Sequence, residues 1–106
     1  MPIVDVPLSN IADWDSFHTT FAATLGFPDF YGRNMNAWVD CLTYEDDGMT
    51  AFPIDTGDVL TLQLQDCKDF RARCPEIYEA LVDCAAFVNW RRIEMGERPI
   101  LAVSYH

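Results

Sequence analysis

Hydrophobic residues recur along the chain with two periods, which predict strands alternating with helices. The short apolar run from Ile3 to Val6, bounded by prolines, predicts a first strand. Residues Val59 to Leu64 alternate apolar and polar side chains, as a half-buried strand does. The continuous apolar run from Ile100 to Val103 predicts a last strand that is buried on both faces.

Between the first two strands, the apolar spacing predicts a first helix. Ser9 or Asn10 is its predicted N-cap, and Gly26 is its predicted C-terminal stop. Its apolar stripe consists of Ile11, Trp14, Phe17 or His18, Phe21 and Leu25. We expect His18 to be a surface histidine or a hydrogen-bonded one, because the sequence places no cysteine or acid partner clearly beside it.

A long helix is predicted before the last strand. It begins at Pro75, which suits a first helical position, and ends near Gly96. Its predicted buried stripe consists of Ile77, Leu81, Cys84 and Val88, widened by Ala80 and Ala85. Phe87 and Trp90 extend this apolar surface, and we expect them in the core or over a sheet edge. Residues 66–73 predict a further short helix or turn.

The stretch Gly26 to Leu42 joins an aromatic-rich loop to a short amphipathic helix. Asn34 is a good N-cap, and Met35, Trp38, Val39 and Leu42 follow with the spacing of one helix stripe. Asn36 and Asp40, four residues apart, lie on a different face. Two interpretations are open. The loop and helix form a binding surface, or they are a capped helix with the rings of Phe30 and Tyr31 in the core.

The order of these elements defines the fold class. Strands separated by helices need crossover connections, so neighbouring strands are predicted to pair in parallel with right-handed crossovers. We therefore expect one α/β domain over residues 1–106. It consists of a small three-stranded parallel sheet with three to four packed helices.

Charge narrows the choice of partner. The chain has 17 acidic and 7 basic residues, and a net charge of −10. Such a surface repels nucleic acid and anionic membranes and attracts basic proteins, although the charge could also serve only solubility. The N-terminus lacks the basic and long apolar segments of a secretory signal, so we expect a cytoplasmic protein that is monomeric when free.

Catalytic motifs for nucleotide binding or hydrolysis are not found in the sequence. The four cysteines have neither C-x-x-C spacing nor paired histidines, so we expect reduced, structural thiols, Cys41 among them. We expect no cofactor, no metal and no enzymatic activity. The alternative is a small cytosolic enzyme or metal-dependent hydrolase that uses Glu45, Asp46 and Asp47 with His18. Because the alternating spacing of an EF-hand loop is absent, a solvated acidic turn is the preferred explanation of those three acids.

The loop and helix resemble the barstar family, intracellular protein inhibitors of a secreted ribonuclease. The residues that carry the resemblance are Pro28, Phe30, Tyr31, Gly32, Asn34, Ala37, Asp40, Cys41 and Leu42. The order of elements agrees over nearly the whole chain. The chain departs from the best-known member of the family, which has an acid where Asn36 stands and a tryptophan where Val39 stands.

The resemblance implies a barstar-like fold and a toxin inhibitor of the bacterial type, which blocks a basic ribonuclease with an acidic helix-loop face. Asp40 is the carboxylate expected to enter the partner's site and meet its arginines. Phe30 is expected to pack at the rim, and Gly32 to let the backbone come close. The remaining residues implied on this face are Asn34, Asn36, Val39, Thr43 and Tyr44. A barstar-like domain that binds a protein other than a nuclease is the alternative.

Overall fold

Three parallel strands form one sheet in the computed structural model, which describes residues 2–45, 48–52, 54 and 57–106. The strands are β1 (Ile3–Pro7), β2 (Leu60–Gln65) and β3 (Leu101–Tyr105). Strand β2 lies in the centre, where Leu62 pairs with Val4 on one side and with Val103 on the other. The predicted three-stranded parallel sheet is therefore confirmed.

The two faces of the sheet differ in polarity. Side chains alternate between faces along a strand, so the paired residues Val4, Leu62 and Val103 share one face. Most residues on that face are buried in the core. On the other face, Asp5 is exposed, and its Oδ1 accepts hydrogen bonds from the side-chain amides of Gln63, at 2.8 Å, and Gln65, at 2.9 Å.

Strand β3 differs from its prediction. Only Leu101 among its five residues is buried, and the Tyr105 side chain is 52% exposed. The expectation of a strand buried on both faces is wrong for two reasons. The strand lies at an edge of the sheet, and Ser104 is paired with Gln63 on the polar face. A continuous apolar run did not distinguish this edge strand from a buried one.

Helix α1 (Trp14–Leu25) begins later than predicted. Neither Ser9 nor Asn10 caps it, because Leu8–Asn10 form a short 3-10 helix. Asp13 is the N-cap. Its Oδ1 accepts the Ser16 backbone N–H at 2.8 Å, and Ser16 Oγ accepts the Asp13 backbone N–H at 3.0 Å. This reciprocal capping box provides acceptors for two backbone N–H groups that have none within the helix. The pKa of Asp13 is lowered because the backbone N–H and the hydroxyl of Ser16 both donate to its carboxylate.

Gly26 ends α1 as predicted. Its φ of 67° lies in the left-handed region, and its N–H donates to the carbonyl of Ala22. A Cβ at this position would lie 2.6 Å from the Cβ of Ala51. The Ala51 N–H donates to the Leu25 carbonyl at 2.8 Å. A glycine is therefore required both by the backbone conformation and by the close approach of a later loop.

Helix α2 (Met35–Thr43) is capped by Asn34, whose Oδ1 accepts the Ala37 N–H at 2.8 Å, as predicted. Its central core residue is Trp38, which is fully buried. The Trp38 ring meets the ring of Phe21 edge-on at a centroid distance of 5.7 Å, so α1 and α2 share one aromatic core.

The second crossover contains α3 (Cys67–Arg73) and α4 (Pro75–Glu94), with Pro75 in the first turn as predicted. The side chains of Phe87 and Trp90 are 46% and 54% exposed, and their rings stack at 5.6 Å. Their predicted place in the core is therefore wrong. They lie on the side of α4 away from its buried stripe, which consists of Ile77, Leu81, Ala85, Val88 and Arg92.

Two further observations concern the cysteine thiols and the length and polarity of the helices. All four cysteines are free, and Cys41, Cys67 and Cys74 are buried. Within the described part of the chain, every helix is too short or too polar to cross a membrane.

Trp38 provides a test of the shared core. We expect Trp38→Ala to lower the free energy of unfolding by about 3–5 kcal/mol, because the cavity left by a fully buried ring is not refilled. Trp90→Ala is the matched control, since that ring is 54% exposed, and it should cost less than about 1 kcal/mol. Denaturant melts of both variants provide the measurement. An unchanged melt for Trp38→Ala would contradict the register of α2.

Candidate protein-recognition surface

The two aromatic residues of the loop before α2 have different environments. Tyr31 is 8% exposed, and its ring lies 4.7 Å from the ring of Phe27. Its Oη lies 2.6 Å from Nδ1 of His18. Phe30 is 75% exposed. Each of the two open interpretations is therefore correct for one ring: Tyr31 belongs to the core, and Phe30 is available at the surface.

His18 is buried, and it has the hydrogen-bonded environment that was predicted. Burial lowers its pKa, and the positive charge of Arg33 lowers it further. Burial raises the pKa of Tyr31. We therefore assign a neutral imidazole whose Nδ1 accepts a hydrogen bond from the Tyr31 hydroxyl. This bond fixes the loop to α1 from the inside.

Arg33 fixes the same loop from the outside. Its Nη2 donates to the carbonyl of Asp15 at 3.0 Å, to the Asp15 carboxylate at 2.7 Å and to Thr19 Oγ1 at 2.9 Å. Arg33 has a φ of 54°, a conformation that costs free energy in a residue with a side chain. The three bonds to α1 support that conformation. Phe30 thus lies in a loop attached to α1 by both Tyr31 and Arg33.

Helix α2 exposes two of its predicted site residues. Asn36 and the Asp40 carboxylate face solvent, and the Asp40 side chain is 56% exposed. Val39 is 5% exposed and Thr43 is fully buried, so neither side chain is on the surface where it was predicted. The Thr43 hydroxyl donates to the Val39 carbonyl at 2.7 Å. Val39 continues the apolar stripe of Trp38 and Leu42, which explains its burial.

Asn34 and Gly32 are exposed, but Asn34 has a structural task. Its side-chain oxygen caps α2, and its Nδ2 donates to the Gly32 carbonyl at 3.3 Å. Gly32 is exposed and has no side chain, so the backbone of the loop is uncovered there, although a Cβ would make only an ordinary contact, 3.4 Å from the Ala37 Cβ. We call the exposed set Phe30, Gly32, Asn36, Asp40 and the partly exposed Tyr44 the recognition surface.

Asp40 has a partner within the chain. Arg91 of α4 donates from Nη1 to Asp40 Oδ1 at 2.7 Å, and the Arg91 side chain is 27% exposed. The Arg91 guanidinium also lies 5.9 Å from the centre of the Tyr44 ring. The bond to Asp40 raises the pKa of Arg91, so this cation is permanent. The buried Arg92 donates from Nη1 to the Thr43 carbonyl at 3.1 Å.

The alternative metal site is only partly within the described residues. Glu45 is buried and accepts a hydrogen bond from the Thr50 hydroxyl, so it is not part of a solvated turn. Asp46 and Asp47 lie outside the described residues. In the part of the chain that the structure describes, no group of His, Cys, Asp and Glu side chains is arranged to hold a metal ion.

Cys41 follows Asp40 but lies on the buried side of α2. Burial raises the pKa of its thiol, and the neighbouring Asp40 carboxylate raises it further. The thiol is therefore protonated at neutral pH, and its environment is the opposite of that of a reactive cysteine.

Sequence reasoning missed Arg33 and Arg91. The left-handed conformation of Arg33 has no sequence signature, and the contacts of Arg33 with α1 depend on the fold. Arg91 lies in the last turn of α4, where a basic residue already suits the helix end, so its position in the sequence does not indicate a bond to α2. A pair of consecutive arginines in an acidic chain was the available signal.

One comparison with known proteins bears on this surface. The model of the family described as Barstar (barnase inhibitor) matches residues 1–101. A search of curated proteins gave no match.

The His18–Tyr31 bond predicts a pH dependence of stability. The folded pKa of His18 is lowered from 6.5, so the unfolded chain binds more protons just below that pH. The stability that the neutral His18 contributes is fully present above pH 6.5, and it is lost as the pH falls through the lowered pKa of the folded protein. We expect denaturant melts between pH 7 and pH 5 to show falling stability, and His18→Gln to reduce that slope.

His106 supplies the control, because the chain has two histidines and His106 is exposed. His106→Gln should leave the slope as in the parent protein. Equal slopes for His18→Gln and the parent protein would contradict a neutral, buried imidazole.

Proposed function

The chain belongs to the barstar family, and from that premise we propose that it inhibits a basic ribonuclease by covering the active site with the recognition surface. The observation that carries the proposal is the exposed carboxylate of Asp40, on the same loop and helix as the exposed ring of Phe30. The family is described as one of inhibitors that bind a protein. The choice of a basic ribonuclease is our proposal.

The chemistry of the target explains why a carboxylate would block it. A site that cleaves RNA binds phosphate groups, and it does so with cations. A carboxylate that enters such a site forms charge-assisted bonds with arginine, frequently two in parallel. Arg91 occupies one oxygen of Asp40. The exposed side chain therefore keeps acceptor sites for a cation of the partner.

The net charge of −10 supports rapid association with a basic protein. Complementary charges steer two proteins together and raise the association rate above that of neutral surfaces. This steering is screened by salt over about 8–10 Å near physiological ionic strength. The proposal therefore includes an association rate that falls as salt rises.

The other members of the recognition surface have separate roles in the proposal. Phe30 is an apolar anchor at the rim, and aromatic anchors account for much of the energy of an interface. Asn36 supplies a hydrogen bond where the best-known member has an acid. The bare backbone at Gly32 admits close approach, and Tyr44 covers the edge beside Arg91.

The place of action follows from the target. We propose that the chain acts inside the cell as a free monomer and neutralises a ribonuclease made for export, as a toxin inhibitor does. Because the buried Val39 stands where the best-known member has a tryptophan, we expect weak inhibition of barnase itself.

Capture followed by an inhibition assay tests the function. Proteins secreted by the source organism are passed over the immobilised chain, and the captured protein is assayed for cleavage of RNA with and without added chain. The expected result is a basic protein whose ribonuclease activity disappears at equimolar inhibitor. Captured proteins that cleave no RNA would contradict the proposal and favour a non-nuclease partner.

Asp40→Ala tests the carboxylate. We expect it to weaken binding to the captured ribonuclease by about 2–5 kcal/mol, because the partner's arginine is left buried and unpaired. Titration calorimetry at two salt concentrations provides the measurement. The matched control is Asp69→Ala on α3, since Asp69 is 62% exposed and also accepts an arginine bond at 2.7 Å. The control removes the same charge and should change binding by less than about 1 kcal/mol.

Phe30→Ala tests the anchor. Removal of a ring packed at the interface should weaken binding by about 2 kcal/mol, mainly through faster dissociation. The stability of the free protein should change by less than about 0.5 kcal/mol, because the ring is 75% exposed. Surface plasmon resonance and a denaturant melt give the two values. Unchanged dissociation would exclude Phe30 from the interface.

A further inference from the structure

The partner that this surface fits is restricted by Arg91. Asp40, the central acid of the recognition surface, is already bonded to this arginine at 2.7 Å. In spite of the net charge of −10, the local charge of the Asp40–Arg91 pair is close to zero. A partner that offers only cations must share or displace the bond to Arg91, and it meets a positive charge beside its target.

The surroundings of Arg91 hold its positive charge beside Asp40 when a cationic partner approaches. Its guanidinium is held between the Asp40 carboxylate and the Tyr44 ring, and its side chain is only 27% exposed. The next residue, Arg92, is buried and bonded to the Thr43 carbonyl, which fixes this turn of α4 against α2. Arg91 therefore belongs to the same rigid surface as Asp40 and stays beside it when a partner binds.

We propose that Arg91 is the specificity-determining residue of this surface and selects a ribonuclease that places a carboxylate beside the cation that binds Asp40. The inference rests on the proposed function. Cleavage of RNA by general acid–base catalysis needs a base near the phosphate-binding cations, and a carboxylate is one of the side chains that serve. Such a site offers a cation for Asp40 and an anion for Arg91. A purely cationic site leaves Arg91 unpaired against positive charge.

Two capped peptides test this charge pattern on the whole chain. Tetra-arginine offers cations only, and Arg-Glu-Arg-Glu offers both signs. Their affinities are measured by NMR titration of the ¹⁵N-labelled protein, from the amide shifts of Asp40 and Cys41. The variants are Arg91→Gln, which removes the cation, and Arg91→Lys, which keeps it.

Arg71→Gln is the matched control for the change in net charge. Arg71 is an exposed arginine on α3 whose guanidinium lies 5.5 Å from the ring of Tyr78, much as Arg91 lies beside Tyr44. We expect Arg91→Gln to bind tetra-arginine about fivefold more tightly than Arg71→Gln does. We expect it to bind Arg-Glu-Arg-Glu no more tightly than the control. Arg91→Lys should behave as the parent protein.

Two results would overturn the inference. If Arg91→Gln and Arg71→Gln respond alike to both peptides, Arg91 does not mask Asp40. If Arg91→Gln gains equally with both peptides, Arg91 blocks the surface without selecting a charge pattern. Neither arm contains a ribonuclease, so these failures differ from a failure of the proposed function, which the capture experiment detects separately.

Discussion

Parallel pairing of the strands is the constraint on which the rest of the structure depends. Two parallel neighbours cannot be joined by a tight turn, so each connection must return along the sheet through helices. Helix α2 exists as part of the first return, and α4 as part of the second. Both helices bury one side in the hydrophobic core, to which the apolar face of the sheet also contributes. The opposite sides of these helices remain for water or for a partner.

The recognition surface is built on rigid parts. The loop that presents Phe30 is bonded to α1 through the His18–Tyr31 pair and through Arg33. Helix α2 is fixed to α4 by Arg92 and by the ion pair of Arg91 with Asp40. Ordering of loops and side chains on association is a large part of the free-energy cost of binding. A surface that is ordered before the encounter avoids much of that cost.

The sequence predicted the fold well, because periodicity reports which residues a chain must bury. The alternation of Leu60, Leu62 and Leu64 and the stripe through Trp38 determined β2 and α2 correctly. Errors arose where burial depends on neighbours distant in sequence. Phe87 and Trp90 lie on the side of α4 away from its buried stripe, so the error was to count two apolar residues outside that stripe as part of the core.

The candidate site was less predictable for a related reason. Asp40 and Phe30 were found from a local motif, and both are exposed. Val39 and Thr43 were placed on the surface by resemblance, whereas their burial follows from the packing of α2. The bond between Asp40 and Arg91 joins two crossovers, so it exists only after the whole chain has folded. A motif confined to one crossover contains no information about it.

The central position of β2 has a consequence for the folding pathway. Among the described residues, each edge strand pairs with β2 alone, and the two pairings bring together residues about 60 and about 40 positions apart in sequence. Loop-closure entropy grows slowly, by about 0.6 kcal/mol per doubling of length, so it separates the two events by less than that amount. The order of assembly is then set by whichever crossover first acquires helical structure. Because a long helix forms more readily than a short one, we expect the crossover that contains the twenty-residue α4 to fold first, with β1 and the loop that presents Phe30 joining last.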